Sequence, residues 1–186
     1  MQIATMTKIR IAIDMDEVIA DALTAMRSWA RSVYQREWTE DEMAGRSMGD
    51  LLGKDGLAAL HAHMHEGEFF RHLQVIDGAQ AALRSLAADH EIFITTAAME
   101  FPLSLKFKRE WLDEHFDFLN PLNFVFCGDK SIINADFLID DHARHFRRFV
   151  GQGILFDAHH NVQVEGFARL KHWRDAASLI ENLKRR

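Results

Sequence analysis

The chain has a single cysteine, Cys127, so no internal disulfide framework can staple it, and a reducing setting such as the cytoplasm is expected. With only two prolines and ten glycines, collagen-like and Pro-rich disordered chains are excluded. Long apolar runs are also missing. The longest stretch without Asp, Glu, Lys or Arg is residues 118–128, too short to span a bilayer. Met1–Thr7 lacks the basic start and apolar run of a secretory leader. Positive charge is not in excess: 22 Lys and Arg face 28 Asp and Glu, for a net charge of −6. Such a chain lacks the basic face that binds a nucleic-acid backbone. Repeats and low-complexity linkers are absent. What is there is ordinary for a soluble globular protein: 186 residues, 48% apolar and 27% charged. That length makes about one domain with room for a small insertion.

Five short apolar runs read as buried strands: Ile9–Asp14, Ile92–Thr95, Phe124–Cys127, Phe137–Asp140 and Ile154–Phe156. Between them the apolar spacing widens to three and four, as on one helical face. Val18, Ala22, Met26, Ala30 and Val33 form one such stripe. Ala79, Leu83 and Leu86 form another, then Leu103, Phe107 and Trp111, and last Trp173, Ile180 and Leu183. Asp77 and Pro102 read as helix-start residues. Alternating strands and helices predict an α/β fold, a doubly wound parallel sheet covered on both faces. Residues 19–75 carry no convincing strand and are longer than a crossover helix requires. They read as a small helical cap inserted after the first strand, with residues 1–18 and 76–186 forming the core.

Open parallel sheets bind ligands at the carboxyl ends of their strands. Three predicted strands finish on polar residues there. The first runs into Asp14-Met-Asp16, the second into Thr95-Thr96 and the fourth into Asp140-Asp141, with Lys130 just ahead of the fourth. Singly, Asp16, Thr96 or Asp141 reads as a helix cap. Together, four carboxylates at one edge repel and are costly to desolvate unless a cation neutralises them. Oxygen ligands suit Mg²⁺, and a lysine and hydroxyl beside it would cradle a phosphate. Neither a P-loop nor a Gly-x-Gly-x-x-Gly turn is present, which argues against a nucleotide held in those ways.

Asp14-Met-Asp16-Glu-Val18, Thr95, Lys130 and Asp140-Asp141 occur in the order of the four motifs of the haloacid dehalogenase superfamily, and the sequence resembles its phosphatases over most of its length. Within that superfamily it is most similar to the 5'(3')-deoxyribonucleotidases. The carrying stretches are Ile13–Asp21, Phe69-Phe70 ahead of Asp77-Gly78-Ala79, Asp129-Lys130, Ala135–Asp141 and Ala158-His159-His160-Asn161. The resemblance implies a Mg²⁺-dependent phosphomonoesterase acting on (deoxy)nucleoside monophosphates. Asp14 would be the nucleophile that carries the phosphoryl group, and Asp16 the acid and then the base. Mg²⁺ would be held by Asp14, the Asp16 carbonyl and Asp140, with Asp141 supporting them. Thr95, Thr96 and Lys130 would bind the phosphoryl oxygens. Trp29, Trp38, Phe69 and Phe70, taken as residues, either line a base-stacking pocket in the cap or pack in its core; Phe69-Phe70 is the pair that the resemblance supports. The chemistry is consistent: phosphate monoesters need accelerations of up to about 10²¹, and a carboxylate nucleophile splits one hard step into two.

Three departures from the resemblance bear on selectivity. Glu17 stands where the animal enzymes have Gly; its extra carboxylate either reaches the site or caps the helix start, and helix-start preference favours the cap. Ala22 stands where they place an aromatic, and Thr96-Ala-Ala-Met99 replaces a stretch that supplies a second phosphate lysine. Elsewhere, His61, His63 and His65 fall on different helical faces, which argues against zinc. His159-His160 would lie near the site by the family match, while a surface turn is the plainer reading; Cys127 reads as a small buried hydrophobe, and Lys184–Arg186 as a solvated helix end. Rival readings are a phosphatase for a sugar phosphate or other metabolite, a receiver-like signalling module, and a phosphate-binding module without turnover. A receiver would carry its acceptor Asp before its Thr and needs no insertion. The expected partner is thus a small phosphorylated molecule, neither nucleic acid nor membrane; a homodimer is compatible with the sequence, although no apolar patch demands one.

Overall fold

The computed structural model describes residues 8–185; Met1–Thr7 and Arg186 lie outside the described residues. Strand β1 (Arg10–Asp14) is followed by a tight turn in which the Met15 carbonyl accepts from the amides of Ile19 and Ala20, each at 2.9 Å. The chain then forms β2 (Ala20–Asp21), α1 (Ala22–Tyr34), α2 (Glu40–Met43) and α3 (Met48–His65). A 3-10 turn over Glu68–Arg71 leads back to β3 (Gln74–Val75), which pairs antiparallel with β2. The rest alternates: α4 (Ala79–Asp89), β4 (Glu91–Thr96), α5 (Ser104–His115), β5 (Phe124–Phe126), β6 (Phe137–Asp140), β7 (Gln152–Phe156), β8 (Ala168–Leu170) and α6 (Ala176–Lys184).

The six long-range strands form one parallel sheet in the order β5-β4-β1-β6-β7-β8. Their side chains alternate between two faces, as a pleat requires. Ile11, Ile13, Ile92, Ile94, Ile139 and Ile154 join the main core with Leu83, Leu86, Trp111, Leu112 and Ile180 from the helices. Ala12 and Leu138 face a smaller apolar cluster closed by Ala135 and Phe149. From β1 the connections run outward in both directions, to β4 and β5 on one side and β6, β7 and β8 on the other. The reversal opens a crevice above the carboxyl ends of β1 and β6, where open α/β sheets place ligands.

Helix ends follow their chemistry. Asp21 caps α1, its Oδ1 accepting from the Thr24 amide at 2.9 Å. Thr39 with Glu42, and Ser47 with Asp50, form reciprocal capping boxes for α2 and α3.

Several expectations need correction. The five predicted strands are present, but β8 also exists, and β2 and β3 place a short strand pair inside the stretch read as strand-free. Val18 precedes α1 and is buried in the turn, while Val33 at its far end is 54% exposed. Gly78, at φ +77°, rather than Asp77, is the cap of α4. In α5 the buried stripe is Ser104, Lys108, Trp111 and Leu112; Leu103 lies outside the helix and is 67% exposed. Pro102 correspondingly precedes the helix.

Candidate active site

The register of β1 sets Asp14 beside Thr95 of β4, while β6, paired to its other edge, ends on Asp140. Asp16 lies just past the strand, bridged to Ala20 across the turn. All of these residues converge at the crevice. Lys130 enters from a 3-10 turn opened by Asp129, whose Oδ1 accepts from the Ser131 amide. The Lys130 Nζ is 2.6 Å from Asp14 Oδ1 and 2.6 Å from Asp140 Oδ2, and the side chain is almost wholly buried. Backbone amides add to the set: Met15 N donates to Asp14 Oδ1 at 2.7 Å, and His142 N to Asp140 Oδ1 at 2.8 Å.

A second ammonium stands opposite. Lys108 of α5, buried, donates to Asp16 Oδ2 and, at 2.8 Å, to Thr96 Oγ1. Sequence reasoning missed this residue and treated the second phosphate lysine as lost. Its signal was a lysine at the i+4 position between Ser104 and Trp111 on a stripe of buried residues. Thr95 is fully buried and its hydroxyl lies 3.7 Å from Cys127 Sγ.

Burial pushes the Asp14 carboxyl up to about 7; Lys130 opposes the rise, and the charges of Asp140 and Asp16 add to it. For Lys130 burial works against the charge, but Asp14 and Asp140 outweigh it and raise its pKa. Asp141 is also raised, by burial first and then by the charges of Glu17, Asp14 and Asp140. Carboxylate oxygens of Asp14, Asp140 and Asp141 lie within 4.8 Å of one another. Asp141 Oδ1 is buried with no hydrogen-bond partner, as is Asp16 Oδ1. Buried acceptors left unsatisfied beside an all-oxygen cluster fit a hard divalent cation. Asp141 thus adds its carboxylate to the same acidic cluster.

Above the carboxylates opens a cavity of about 400 Å³, the size of a small-molecule site. Of the four aromatics assigned to it, only Phe70 lines it. Trp29 packs edge-on against Tyr34 and stacks on His63; Phe69 packs on His63 and Phe70; Trp38 is buried in the core. Phe101, His61 and His65 line the cavity instead, and both imidazoles pack against the Phe101 ring. The two histidines are four apart on α3 and share a face, while His63 points to Trp29, so the three do not form a metal site. Ala22 also borders the cavity. Arg144 reaches Glu100 at 3.2 Å, and both line the cavity.

Two further readings are corrected here. Glu17 caps no helix: its φ is +56° in the turn after β1, and its half-buried carboxylate faces His159 and His160. Those histidines are not a surface turn. Asn161 anchors them, donating through Nδ2 to the carbonyls of Asp141 and Phe156 at 2.8 Å each. Burial pushes Glu17 up, but the imidazoles of His160 and His159 outweigh it and leave its pKa below the ordinary value.

With this geometry in place, comparison with known proteins is decisive. The sequence profile of the family described as "5' nucleotidase, deoxy (Pyrimidine), cytosolic type C protein" matches residues 7–186. This chain belongs to that family. Among relatives of this deoxy-type 5' nucleotidase family, a Staphylococcus epidermidis protein with a provisional 5'(3')-deoxyribonucleotidase name is 39% identical over 181 residues, 97% of this chain and 100% of the relative. The Bacillus subtilis 5'(3')-deoxyribonucleotidase is 35% identical over 165 residues, 89% of this chain and 94% of its own length. A solved haloacid dehalogenase-like protein from Agrobacterium tumefaciens shares the fold at a TM-score of 0.60 and 15% identity, covering 94% of this chain and 98% of that one.

Proposed function

We propose that this family member is a Mg²⁺-dependent phosphomonoesterase that hydrolyses (deoxy)nucleoside monophosphates through a phosphoryl group carried on Asp14. The observation that carries the reading is a carboxylate pair two residues apart, Asp14 and Asp16, each held by its own buried ammonium at the reversal point of the sheet. The substrate class follows the named activity of the B. subtilis relative.

Asp14 attacks phosphorus through a carboxylate oxygen, and the bond to the nucleoside oxygen breaks. Asp16 delivers a proton to that oxygen, then takes one from the water that displaces Asp14 from phosphorus. Lys130 holds Asp14 ionised and in place. Lys108 donates to Asp16 Oδ2. An entering phosphate dianion draws that ammonium to itself and frees Asp16 to carry a proton. Thr95 and Thr96 sit at the same strand end, where phosphoryl oxygens are bound. Asp14, Asp140 and the Asp16 carbonyl would hold Mg²⁺, with Asp141 in the same acidic cluster; the ion supplies charge neutralisation between the carboxylates and the phosphoryl oxygens.

Residues 19–75 act as a cap over a core of residues 1–18 and 76–186, with Phe70 from the cap and Phe101 from the core offering ring faces to a base. Ala22 leaves space there, so discrimination between bases is relaxed. The partner is a small phosphorylated molecule, and the setting is cytoplasmic, in keeping with one buried cysteine. Among the described residues no helix is long and apolar enough to cross a membrane. The test is release of phosphate from deoxynucleoside 5'- and 3'-monophosphates and from sugar phosphates, each with Mg²⁺ and with chelator. Preference for nucleotides that vanishes with chelator is expected. Equal rates on sugar phosphates would move the substrate class to general metabolites, and turnover in chelator would remove the metal.

A further inference from the structure

Next to the acidic cluster lies a second set of ligating side chains that the proposed reaction does not use. Glu17 Oε2 is 3.7 Å from His159 Nδ1 and 3.6 Å from His160 Nδ1. Both separations exceed hydrogen-bond length. They approach the spacing of atoms that share one ion, since metal–ligand bonds of about 2.0–2.1 Å at ordinary coordination angles set ligand atoms roughly 3.0–3.4 Å apart. The His159 side chain is 7% exposed, and both of its ring nitrogens are buried without a hydrogen-bond partner. A buried imidazole in that state calls for a partner, an ion or an ordered water, to satisfy it. His160 faces two ways. Its Nδ1 looks to Glu17, and its Nε2 lies 3.3 Å from Asp141 Oδ2. That is the carboxylate–histidine–metal arrangement, in which the far ring nitrogen is fixed by an acid.

We propose that Glu17, His159 and His160 form a second cation site, selective for a borderline transition metal of the Zn²⁺ and Co²⁺ class. Two imidazoles and one carboxylate prefer such ions over Mg²⁺, which favours the all-oxygen cluster of Asp14, Asp140 and Asp141. A separate cavity of about 580 Å³, bordered by Glu17, His159, Asp21, Asp77 and Lys171, gives this site its own route to solvent and room for a water ligand. Asp141 ties the two sites together through His160, so filling one alters the surroundings of the other.

The experiment reads binding, not turnover, and so stands or falls apart from the phosphatase reading. The full-length chain, stripped with chelator and held in excess Mg²⁺, is titrated with Co²⁺ by calorimetry and visible absorption. One Co²⁺ per chain with a nitrogen-ligand spectrum is expected. The variants Glu17→Gln and His159→Asn are each expected to weaken it by at least about tenfold, the loss typical even of a supporting residue. Imidazole ¹⁵N shifts give a readout without substitution: Zn²⁺ moves His159 and His160 but not His63. Failure of Co²⁺ to bind in excess Mg²⁺, unchanged affinity in both variants, or unmoved His159 and His160 signals would overturn the proposal.

Discussion

Asp14 carries the heaviest demands of any residue here. It must be ionised to attack, yet burial pushes it up to about 7, against the opposing pull of Lys130. Asp14→Asn preserves the shape, because the amide oxygen can still accept from Met15 N, and removes the nucleophile. Phosphate release is expected to fall by at least about 10³-fold, the scale of losing a group from a catalytic unit; an unchanged rate in a steady-state assay would remove Asp14 as acceptor. Lys108 is tested separately. Lys108→Met keeps the stem that packs in α5 and deletes the ammonium facing Asp16. A drop in kcat of about 10²-fold is expected, the usual cost of one donor to a charge that develops in the transition state. Turnover as fast as the parent's would reduce Lys108 to a packing group. The contrast between these residues shows what a sequence carries. Asp14 and Asp140 end strands, Asp16 and Lys130 lie in the turns that follow strands, and all four have motif spacing, so they were legible. Lys108 lies twelve residues beyond Thr96 on a helix, and its spacing from Ser104 and Trp111 is the one local sign that it is buried rather than solvated.

At the scale of elements, the β-strands were readable because β1, β4, β6 and β7 are short Ile-rich or Leu-rich runs buried on both faces. β8 was not, because Arg169 interrupts it. That guanidinium is held by Asp157 Oδ1 at 2.6 Å and the Val164 carbonyl at 2.7 Å, contacts between residues apart in sequence. The misplaced stripe of α5 has a similar cause. Leu103 and Phe107 have helical spacing, but the helix turns Ser104 and Lys108 inward because the site and the Glu68–Arg71 turn occupy that side. Gly67 joins the end of α3 to the start of α5: its φ is +85°, and a Cβ there would lie 2.4 Å from the Leu103 carbonyl oxygen. Gly67→Ala is therefore expected to destabilise the protein by about 1–3 kcal/mol, the range for residues forced into a left-handed conformation. Denaturant unfolding checks this, and an unchanged midpoint would show that the α3–α5 junction yields freely. Trp173 offers a second probe. Its Nε1 donates to the Val18 carbonyl at 2.8 Å, tying the turn after β1 to the chain beyond β8. Trp173→Phe leaves that buried carbonyl unpaired, a cost of about 1–3 kcal/mol, with lower turnover following from a looser Asp16.

The whole molecule gathers an excess of negative charge over one end of its sheet, and this couples its stability to both protons and cations. Without an ion, burial raises Asp14 to about 7, and burial also raises Asp141, with Glu17, Asp14 and Asp140 adding to it. In the unfolded chain both carboxyls ionise near the ordinary value of about 3.9. For Asp14, between about pH 4 and about pH 7 the folded chain therefore keeps a proton that the unfolded chain has released, so stability falls as pH rises through that window and this loss is complete above it; Asp141, also raised, acts in the same direction. A divalent cation takes the place of those protons, and it binds the native cluster but not the dispersed acids of the unfolded chain. Thermal midpoints measured in chelator and in Mg²⁺ should therefore diverge: the gain from Mg²⁺ is small at about pH 5 and larger at about pH 8, where the carboxylates are already ionised. Asp14→Asn should flatten the fall in chelator, because one buried titrating acid is gone. An equal Mg²⁺ gain at both pH values would mean that the ion binds elsewhere, on acids that are ionised throughout, and would separate the metal from the carboxylates on which the proposed chemistry rests.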